Sequence, residues 1–313
     1  MEQLNVGGPL SRWWSHTTTT YSPTTIEFFG SAAVLFIGFW VPSLIFTWMD
    51  TLGPKHIPWR KIQAPARQPQ YAAVKKGLVN SLQNQLLTSV LHLAYLGMLH
   101  FFTSGAKTTI YNVDSALPSP TRMARDIVIS IVLQDIIFYH SHRGLHHPKI
   151  YRHIHKKHHE FTTPIALAAL YAHPVEYFLS NILPVALPPA LLGAHVVTFW
   201  FMLTWALLLA IIAHCGYELP PIYGWNMEVH DMHHELFVGN FGTIGFCDVL
   251  YGTRLTDSKA TRVARDRLKE DTTEDTITAK NISSSAFNPL QRNGLGLEQG
   301  DWQGFFSHHT RHH

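Results

Sequence analysis

Two long apolar runs dominate the hydrophobic pattern of the chain. Residues 194–213 contain no Asp, Glu, Lys or Arg, and residues 26–49 contain only Glu27. Each run has about the 20 residues that an α-helix needs to cross a hydrocarbon core of ~30 Å. The pattern therefore predicts two transmembrane helices.

Three further segments are apolar only in part. Residues 78–102 are polar in their first half, residues 125–140 carry Asp135, and residues 165–193 are interrupted by prolines. A soluble helical core could explain any one of them, but five such segments in one chain favour a membrane protein. We predict an all-α integral membrane protein, a bundle of about four transmembrane helices in which residues 165–213 form a hairpin.

Composition points in the same direction. Hydrophobic residues make up 46% of the chain and charged residues only 14%, whereas soluble domains carry about 25% charged residues. The net charge of +3 is too small to indicate nucleic-acid binding. The two cysteines, Cys215 and Cys247, provide neither a disulfide framework nor a cysteine zinc site, which suits a reducing compartment.

Changes in composition divide the chain into three parts. We predict an N-terminal segment at 1–25, without the pattern of a cleaved signal peptide, and a membrane-embedded domain at 26–255. Residues 256–313 are polar with few large apolar side chains, which predicts a cytosolic tail. The four histidines at the end of this tail are interpreted as surface residues: His308, His309, His312 and His313.

The distribution of positive charge predicts the orientation in the membrane. The loop 50–77 carries six Lys or Arg residues and one acidic residue. Because basic loops stay on the cytosolic side, this loop is predicted to be cytosolic. Counting the crossings from it places residues 140–160 and everything from His214 onward in the cytosol, and residues 1–25 and 103–124 on the other side.

Histidines are concentrated in three groups with regular spacing. Of the 22 histidines, eight lie between residues 140 and 160. Positions three and four apart share one face of a helix, with about 5–6 Å between Cβ atoms, so each group is expected to direct its imidazoles to one point. The groups are His142 with His146, His155 with His158 and His159, and His230 with His233 and His234.

This set of histidines predicts a metal centre with more than one ion. Eight imidazoles exceed the three or four ligands of one zinc ion. Nitrogen ligands without thiolate suit iron, although ligand type alone does not exclude zinc or copper. Asp135 precedes His142 by two helical turns and is expected to accept the outer ring N–H of a ligating histidine. A solvated basic helix face is the alternative for any single group.

The same residues resemble a known family. Three stretches of the chain resemble the fatty acid hydroxylase superfamily, which includes sterol desaturases, 4-methyl sterol oxidases and sphingolipid hydroxylases. They are DIIFYHSHRGLHHPKIYRHIHKKHHEFTTPIALAALYAHPVEY, AHCGYELP and EVHDMHHELFVGNFGTIGFCDVLYGTRL. The resemblance covers roughly residues 120 to 255. It implies a helical membrane bundle capped by a cytosolic di-iron centre, with boxes at 142–159 and 214–234 and the eight grouped histidines as ligands.

Three residues outside the groups gain a role from this resemblance. His214 matches a further family histidine and is expected to be a ninth ligand. His173 lies in an apolar segment, and it is either a further ligand or a residue that supports a ligand by hydrogen bonding. Glu176, one turn later, is expected to support a ligand in the same way. No catalytic residue is predicted beyond the metal ligands.

The resemblance also implies a function. Members of the family use two non-haem iron ions and O₂ to attack an unactivated C–H bond, which gives hydroxylation or, as the alternative outcome, desaturation. The substrate is a sterol, terpenoid, sphingolipid or fatty acyl chain that enters from the bilayer of the endoplasmic reticulum.

A separate protein is expected to supply the electrons. The chain has no dinucleotide-binding motif, so they would come from NAD(P)H through cytochrome b5 or a reductase. The basic stretch 149–157 is a candidate docking site for an acidic donor. A membrane metal-binding or transport protein is the non-enzyme alternative, and its ionisable ligands would lie within the spans.

Overall fold

The structure is a computed structural model, and it describes residues 8–52, 56–63, 67–219 and 227–255. Across these ranges the chain is helical, and its β pairing is limited to isolated bridges. This confirms the predicted all-α fold class. The predicted tail at 256–313 lies outside the described residues.

Ten α-helices follow one another in the described ranges. They are α1 (Pro9–Thr20), α2 (Pro23–Leu52), α3 (Tyr71–Phe102), α4 (Pro120–Leu145), α5 (Pro148–Tyr151), α6 (Pro174–Glu176), α7 (Leu183–Leu191), α8 (Val196–His214), α9 (Met227–Leu236) and α10 (Phe246–Leu250). Tighter or wider helical turns complete the fold: 3₁₀ helices at His155–Glu160 and Ala166–Leu170, and a π-helix at Tyr177–Ile182.

Three described helices are long and apolar enough to cross a membrane, namely α2, α3 and α8. They coincide with the segments predicted at 26–49, 78–102 and 194–213. The 26 residues of α4 are also long enough at about 1.5 Å per residue, but buried polar residues such as Asp126 and Gln134 make it less apolar. A fourth span therefore stays a prediction.

Prolines shape the segment between residues 165 and 193. Pro174 begins α6, where its missing N–H is not needed, and Pro184 lies at the start of α7. The π-helix fills the stretch between them. The chain turns after Leu191, and α8 packs against α7. The first arm of the predicted hairpin is thus a series of short helical pieces, in keeping with its prolines.

Glycines let α2 and α8 approach each other closely. A Cβ atom at Gly30 would lie 2.1 Å from the ring of Trp200, and one at Gly38 would lie 3.1 Å from Leu207. Trp200 Nε1 donates to Ser31 Oγ at 3.0 Å across the same contact. Small residues at helix contacts are typical of membrane bundles, because they allow close backbone approach.

Glu27 is fully buried near the start of α2. Its carboxylate accepts hydrogen bonds from the backbone N–H groups of Ile110 at 2.9 Å and Tyr111 at 3.1 Å, and it lies 3.1 Å from His92 Nε2. A buried carboxylate requires such partners. Glu27 therefore ties the loop after α3 to α2, which explains an acidic residue in an apolar span.

The 3₁₀ helix before Tyr171 is held by polar residues of α3. Ser81 Oγ donates to the carbonyl of Leu167 at 2.8 Å, and Asn84 Nδ2 donates to the carbonyl of Leu170 at 2.8 Å. These bonds satisfy carbonyl groups of residues that are buried in the core. They explain the polar first half of α3, and they fix the chain next to the histidines.

The segment 56–63 joins two parts of the chain that carry histidines. Ile62 N–H donates to the carbonyl of Gly216 at 3.0 Å, just after the end of α8. Gln63 Nε2 donates to the carbonyl of Thr162 at 2.9 Å, just after the 3₁₀ helix at 155–160. The segment thus holds both histidine-bearing parts at one end of the bundle.

Candidate metal centre

Nine of the predicted histidines come together in two adjacent groups. Within each group the candidate ligand nitrogens lie within 4.8 Å of one another. The five-histidine group consists of His142, His146, His155, His159 and His233. The four-histidine group consists of His158, His214, His230 and His234.

Four parts of the chain supply these side chains. His142 lies in the last turn of α4, and His146 follows directly after that helix. The 3₁₀ helix at 155–160 carries three more histidines, His214 is the last residue of α8, and α9 carries the final three.

Each H-x₂-H-H box is divided between the two groups, so the prediction that each box points to one place was wrong. His155 and His159 belong to the five-histidine group, whereas His158 belongs to the four-histidine group. In the second box His230 and His234 belong to the four-histidine group, whereas His233 belongs to the five-histidine group. In both boxes the two residues four positions apart stay together, and in α9 these two are neighbours on one helix face. The histidine between them points to the other group.

Hydrogen bonds to oxygen atoms fix the ring orientation of six histidines. An oxygen of a carbonyl or carboxylate only accepts, so Nδ1 carries the proton and Nε2 keeps its lone pair. The Nδ1 partners are the carbonyl of Phe241 for His142 (2.8 Å), Glu176 Oε1 for His155 (2.8 Å), and the carbonyls of Tyr171 for His158 (2.9 Å), Ala210 for His214 (2.7 Å), Gly239 for His233 (2.7 Å) and Phe161 for His234 (3.1 Å).

The Nε2 atoms of these histidines face one another at short distances. His142 Nε2 lies 3.2 Å from His155 Nε2, and His234 Nε2 lies 3.2 Å from His214 Nε2. Because Nδ1 carries the proton in all four rings, none of these Nε2 atoms can donate to its neighbour. A cation between the lone pairs resolves the conflict. The donor set of neutral nitrogens therefore fits a pair of transition-metal ions.

Burial keeps the clustered histidines neutral, as metal ligands must be. Burial lowers the pKa of His158 to about 4. Burial and the neighbouring imidazoles lower the pKa of His159 and of His233 well below the usual value. At neutral pH the Nε2 lone pairs are consequently available.

Asp135 forms no hydrogen bond with a histidine in the described part of the chain, so the prediction that it supports a ligand was wrong. The carboxylate accepts hydrogen bonds from the backbone N–H groups of Thr243 and Ile244, each at 2.8 Å, and of Cys247 at 3.0 Å. A carboxylate on the histidine face of α4 was expected to reach a ring N–H. A turn that follows α9 lies nearer and offers several backbone donors.

Glu176 and His173 differ in their relation to the groups. Glu176 is buried, and its Oε1 accepts from His155 Nδ1, the contact expected of a residue that supports a ligand. His173 lies outside both groups, and its Nδ1 accepts from the backbone N–H of Val175 at 3.2 Å. His173 thus caps α6, the helix that carries Glu176.

Sequence reasoning missed the segment 239–248, which follows the last histidine box. It supplies the carbonyls of Gly239 and Phe241 to two histidines. The available signal was the closely spaced glycines at 239, 242 and 245, which are typical of a tight turn. Gln63 was also missed, because it lies far from every histidine in the sequence.

A cavity of about 670 Å³ connects the interior of the bundle to the histidines. Its wall includes side chains from α2, α3, α4, the π-helix and α8, most of them apolar. It reaches both groups of histidines, through His142 and His155 on one side and His158, His214 and His230 on the other. An apolar molecule in this cavity therefore lies next to the candidate metal positions.

Comparison with known proteins identifies the family. The sequence model described as fatty acid hydroxylase matches residues 127–253, which contain all nine histidines. The human protein named fatty acid hydroxylase domain-containing protein 2 is 35% identical over 246 residues, which cover 77% of this chain and 71% of that protein. The chain belongs to the fatty acid hydroxylase family.

Other relatives in the fatty acid hydroxylase family carry different names. A putative methylsterol monooxygenase of Dictyostelium discoideum is 34% identical over 176 residues, 54% of this chain and 64% of that protein. A very-long-chain aldehyde decarbonylase of Oryza sativa subsp. indica is 32% identical over 258 residues, 77% of this chain and 89% of that protein. No solved structure matches the chain. The hydroxylase and monooxygenase names support an oxidoreductase, and membership confirms the resemblance seen in the histidine boxes.

Proposed function

We propose that the protein is a membrane-bound, non-haem di-iron monooxygenase that uses O₂ to hydroxylate an unactivated C–H bond of a lipid. One observation carries this proposal. Two adjacent groups of histidines, six of which face one another with Nε2 atoms that carry no proton, lie at the end of a cavity that an apolar substrate fits.

The two groups would each hold one iron ion. Five neutral imidazoles in one group and four in the other suit iron, and no thiolate competes for it. When bound, the two irons supply the activation of O₂ for attack on a C–H bond. The Nδ1 hydrogen bonds orient the ligating rings, and metal sites commonly depend on such bonds for affinity and activity.

The residues of the cavity would bind the substrate and exclude water. Its volume of about 670 Å³ lies within the range of small-molecule sites. Apolar side chains such as those of Phe138 and Leu207 offer water no hydrogen-bonding partner, and they line the same cavity as His142. A sterol, terpenoid or fatty acyl chain that enters from the bilayer matches this lining. The target carbon would lie next to the histidines.

Electrons would come from NAD(P)H through cytochrome b5 or a separate reductase. The support is the absence of a dinucleotide-binding motif in the sequence and the basic surface beside the centre. Lys149, Arg152 and Lys156 are exposed on the stretch that links the first two histidine boxes. An acidic donor would meet this surface, which we place in the cytosol at the endoplasmic reticulum membrane.

Metal content tests the proposal directly. We expect the full chain, expressed with sufficient iron and purified in detergent, to contain about two iron ions and to oxidise a lipid only with O₂ and electrons. His158→Ala should lose about one ion and the activity. His140→Ala is the matched control, because His140 is exposed on α4 and lies outside both groups. One zinc ion and no iron would contradict the proposal, as would full activity of His158→Ala.

Product analysis separates hydroxylation from the alternatives. An alcohol supports a monooxygenase, whereas a new double bond indicates a desaturase that uses the same centre. Comparison of the lipids of cells with and without the protein identifies the substrate. Metal uptake by vesicles without lipid oxidation would indicate a transport protein, in which ligands line a pathway through the spans.

A further inference from the structure

Two buried carboxylates hold the turn after α9 from opposite sides. Asp135 on α4 accepts hydrogen bonds from the later part of the turn, including the backbone N–H and the hydroxyl of Thr243 at 2.8 and 3.1 Å. Asp248 on α10 accepts from the earlier part, from the backbone N–H of Phe241 at 2.9 Å and of Gly242 at 2.7 Å. Both carboxylates are almost completely buried, so these bonds compensate for the loss of water.

The two carboxylates also set the space at the centre of the turn. A Cβ atom at Gly242 would lie 2.9 Å from Asp135 Oδ1 and 2.9 Å from Asp248 Oδ2. A side chain at this position would push against both carboxylates, and the turn would have to move. The close fit of Gly242 between the two carboxylates therefore restricts the turn to a single position.

The carbonyls of this turn serve one group of histidines only. Phe241 accepts from His142 Nδ1 at 2.8 Å, and Gly239 accepts from His233 Nδ1 at 2.7 Å. Both histidines belong to the five-histidine group. For His158, His214 and His234 of the four-histidine group the Nδ1 partners come from elsewhere, namely the carbonyls of Tyr171, Ala210 and Phe161.

We propose that Asp135 and Asp248 are positioning residues for the five-histidine group. They hold the turn 239–245 so that its carbonyls keep His142 and His233 in the orientation and tautomer that a metal ion requires. This inference rests on the proposed function in assuming that the two groups bind metal. Its new content is that one pair of carboxylates controls the affinity of one group and leaves the other unaffected.

Replacement of each aspartate by asparagine tests the inference, because the two side chains differ in their hydrogen-bonding groups. A carboxylate accepts with both oxygens, and here each oxygen of each residue receives a hydrogen bond. An asparagine of the same shape accepts with one oxygen and presents an NH₂ group to the other backbone N–H. The turn should shift, although the size of the side chain is unchanged.

The experiment measures the binding of cobalt(II) as a probe. The full chain is purified in detergent, freed of metal with a chelator and titrated with cobalt chloride, and visible absorption and equilibrium dialysis report each bound equivalent. We expect two equivalents in the wild type. In Asp135→Asn and Asp248→Asn, one equivalent should keep its affinity and the other should weaken about 10–100-fold, as is usual when a partner of a metal ligand is lost. Gly242→Ala should do the same.

Two kinds of control show whether the weaker binding belongs to the five-histidine group. Asp126→Asn should leave both equivalents unchanged, because Asp126 is equally buried on α4 but bonds to Arg125 and not to the turn. In a His230→Ala background, which disables the four-histidine group, Asp248→Asn should weaken the remaining equivalent. In a His233→Ala background it should change nothing further. If Asp135→Asn fails to fold, Thr243→Val, which removes one hydrogen bond to Asp135, replaces it in the same comparison. For Asp248→Asn the replacement is Thr253→Val, which removes one hydrogen bond to Asp248.

The outcomes separate the inference from the proposed function. Unchanged binding in both asparagine variants would overturn the inference, and so would equal weakening of both equivalents or an effect of Asp126→Asn of the same size. A wild-type chain that binds only one equivalent would contradict the two-metal proposal. The inference is then supported if Asp248→Asn weakens that equivalent, and overturned if it does not.

Discussion

His214 Nε2 lies 3.3 Å from His158 Nε2, although the two residues are 56 positions apart in the chain. One is the last residue of α8, and the other lies in the 3₁₀ helix at 155–160. Nδ1 of each ring donates to a backbone carbonyl, at 2.7 Å for His214 and 2.9 Å for His158. The two lone pairs therefore face each other, an arrangement that fits a shared cation.

The first prediction concerns His214, which lies outside the three groups of regularly spaced histidines. His214→Ala should remove one metal equivalent and most of the lipid oxidation, because a ligand is lost and not merely one of its supports. Metal analysis of the purified variant and a product assay measure the two effects. Two tightly bound ions in this variant would remove His214 from the set of ligands.

The tail offers the control for this experiment. Truncation after residue 270, or joint replacement of His308, His309, His312 and His313, should leave metal content and activity largely unchanged. The tail has little apolar content and no helical pattern of histidines. A truncated chain as inactive as His214→Ala would contradict the division between the membrane-embedded domain and the tail.

The second prediction concerns Glu176, which accepts from His155 Nδ1. Glu176→Leu should lower metal affinity and activity about 10–100-fold, because the ring of His155 loses its fixed partner. Glu176→Gln should cost much less, since its amide oxygen still accepts the hydrogen bond. Metal titration of both variants checks the order, and Glu235→Gln, a half-exposed acid on α9, serves as the control. Equal losses in the leucine and glutamine variants would refute this role.

The third prediction concerns Gln63 and the buried Asp231 of α9. Gln63 Nε2 donates to Asp231 Oδ2 at 2.9 Å and Gln63 Oε1 accepts from Thr163 Oγ1 at 2.8 Å. Gln63→Leu leaves these groups without partners, which should lower the free energy of unfolding by about 1–3 kcal/mol. Thermal unfolding in detergent measures the change. Gln68→Ala, which loses one bond to a carbonyl, should have little effect.

The cost of Gln63→Leu should also depend on pH. Burial raises the pKa of Asp231 to about 6, and the hydrogen bond from Gln63 opposes this rise. Without Gln63 the folded-state pKa rises further above that of the unfolded chain, so the folded state takes up a proton more readily. Stability then falls as pH increases from about 4 through the folded-state pKa. The loss of stability caused by Gln63→Leu should be larger at pH 8 than at pH 5. A loss of stability that does not depend on pH would refute the role of Asp231.

The fourth prediction concerns the orientation in the membrane. Contacts assign the loops to two ends: Trp14 Nε1 donates to the carbonyl of Asp114, whereas the segment 56–63 bonds to residues 216–218. We expect residues 50–77, 140–160 and 214–313 in the cytosol. Glycosylation sites engineered into 103–124 should be modified, and sites in 50–77 should not be. Modification in 50–77 would reverse the orientation.

Periodicity and spacing predicted the parts of this structure that depend on local sequence. The uncharged stretch of α8 and the apolar stretch of α2 were predictable from length and composition alone. The spacing of the histidines also predicted that they gather at one end of the bundle, but not which of them share a group. The resemblance added His214, which spacing could not connect to the boxes.

Contacts between distant residues were not predictable in this way. Its spacing from His142 assigned Asp135 to the histidine face of α4, but the turn that it holds lies more than a hundred residues later. The division of each box between two groups depends on how the 3₁₀ helix and α9 face each other, which no local pattern encodes. Gln63 illustrates the same limit, because its partners come from two other parts of the chain.

The division of the boxes would give the two proposed metal positions different histories during protein synthesis. When residue 160 has been added, the growing chain already contains four ligands of the five-histidine group but only His158 of the other. The remaining ligands of the four-histidine group follow with the end of α8 and with α9. An incomplete chain thus offers one ion most of its ligands, while the second ion has no site before α9 is made. Occupancy of the second position therefore marks a finished domain.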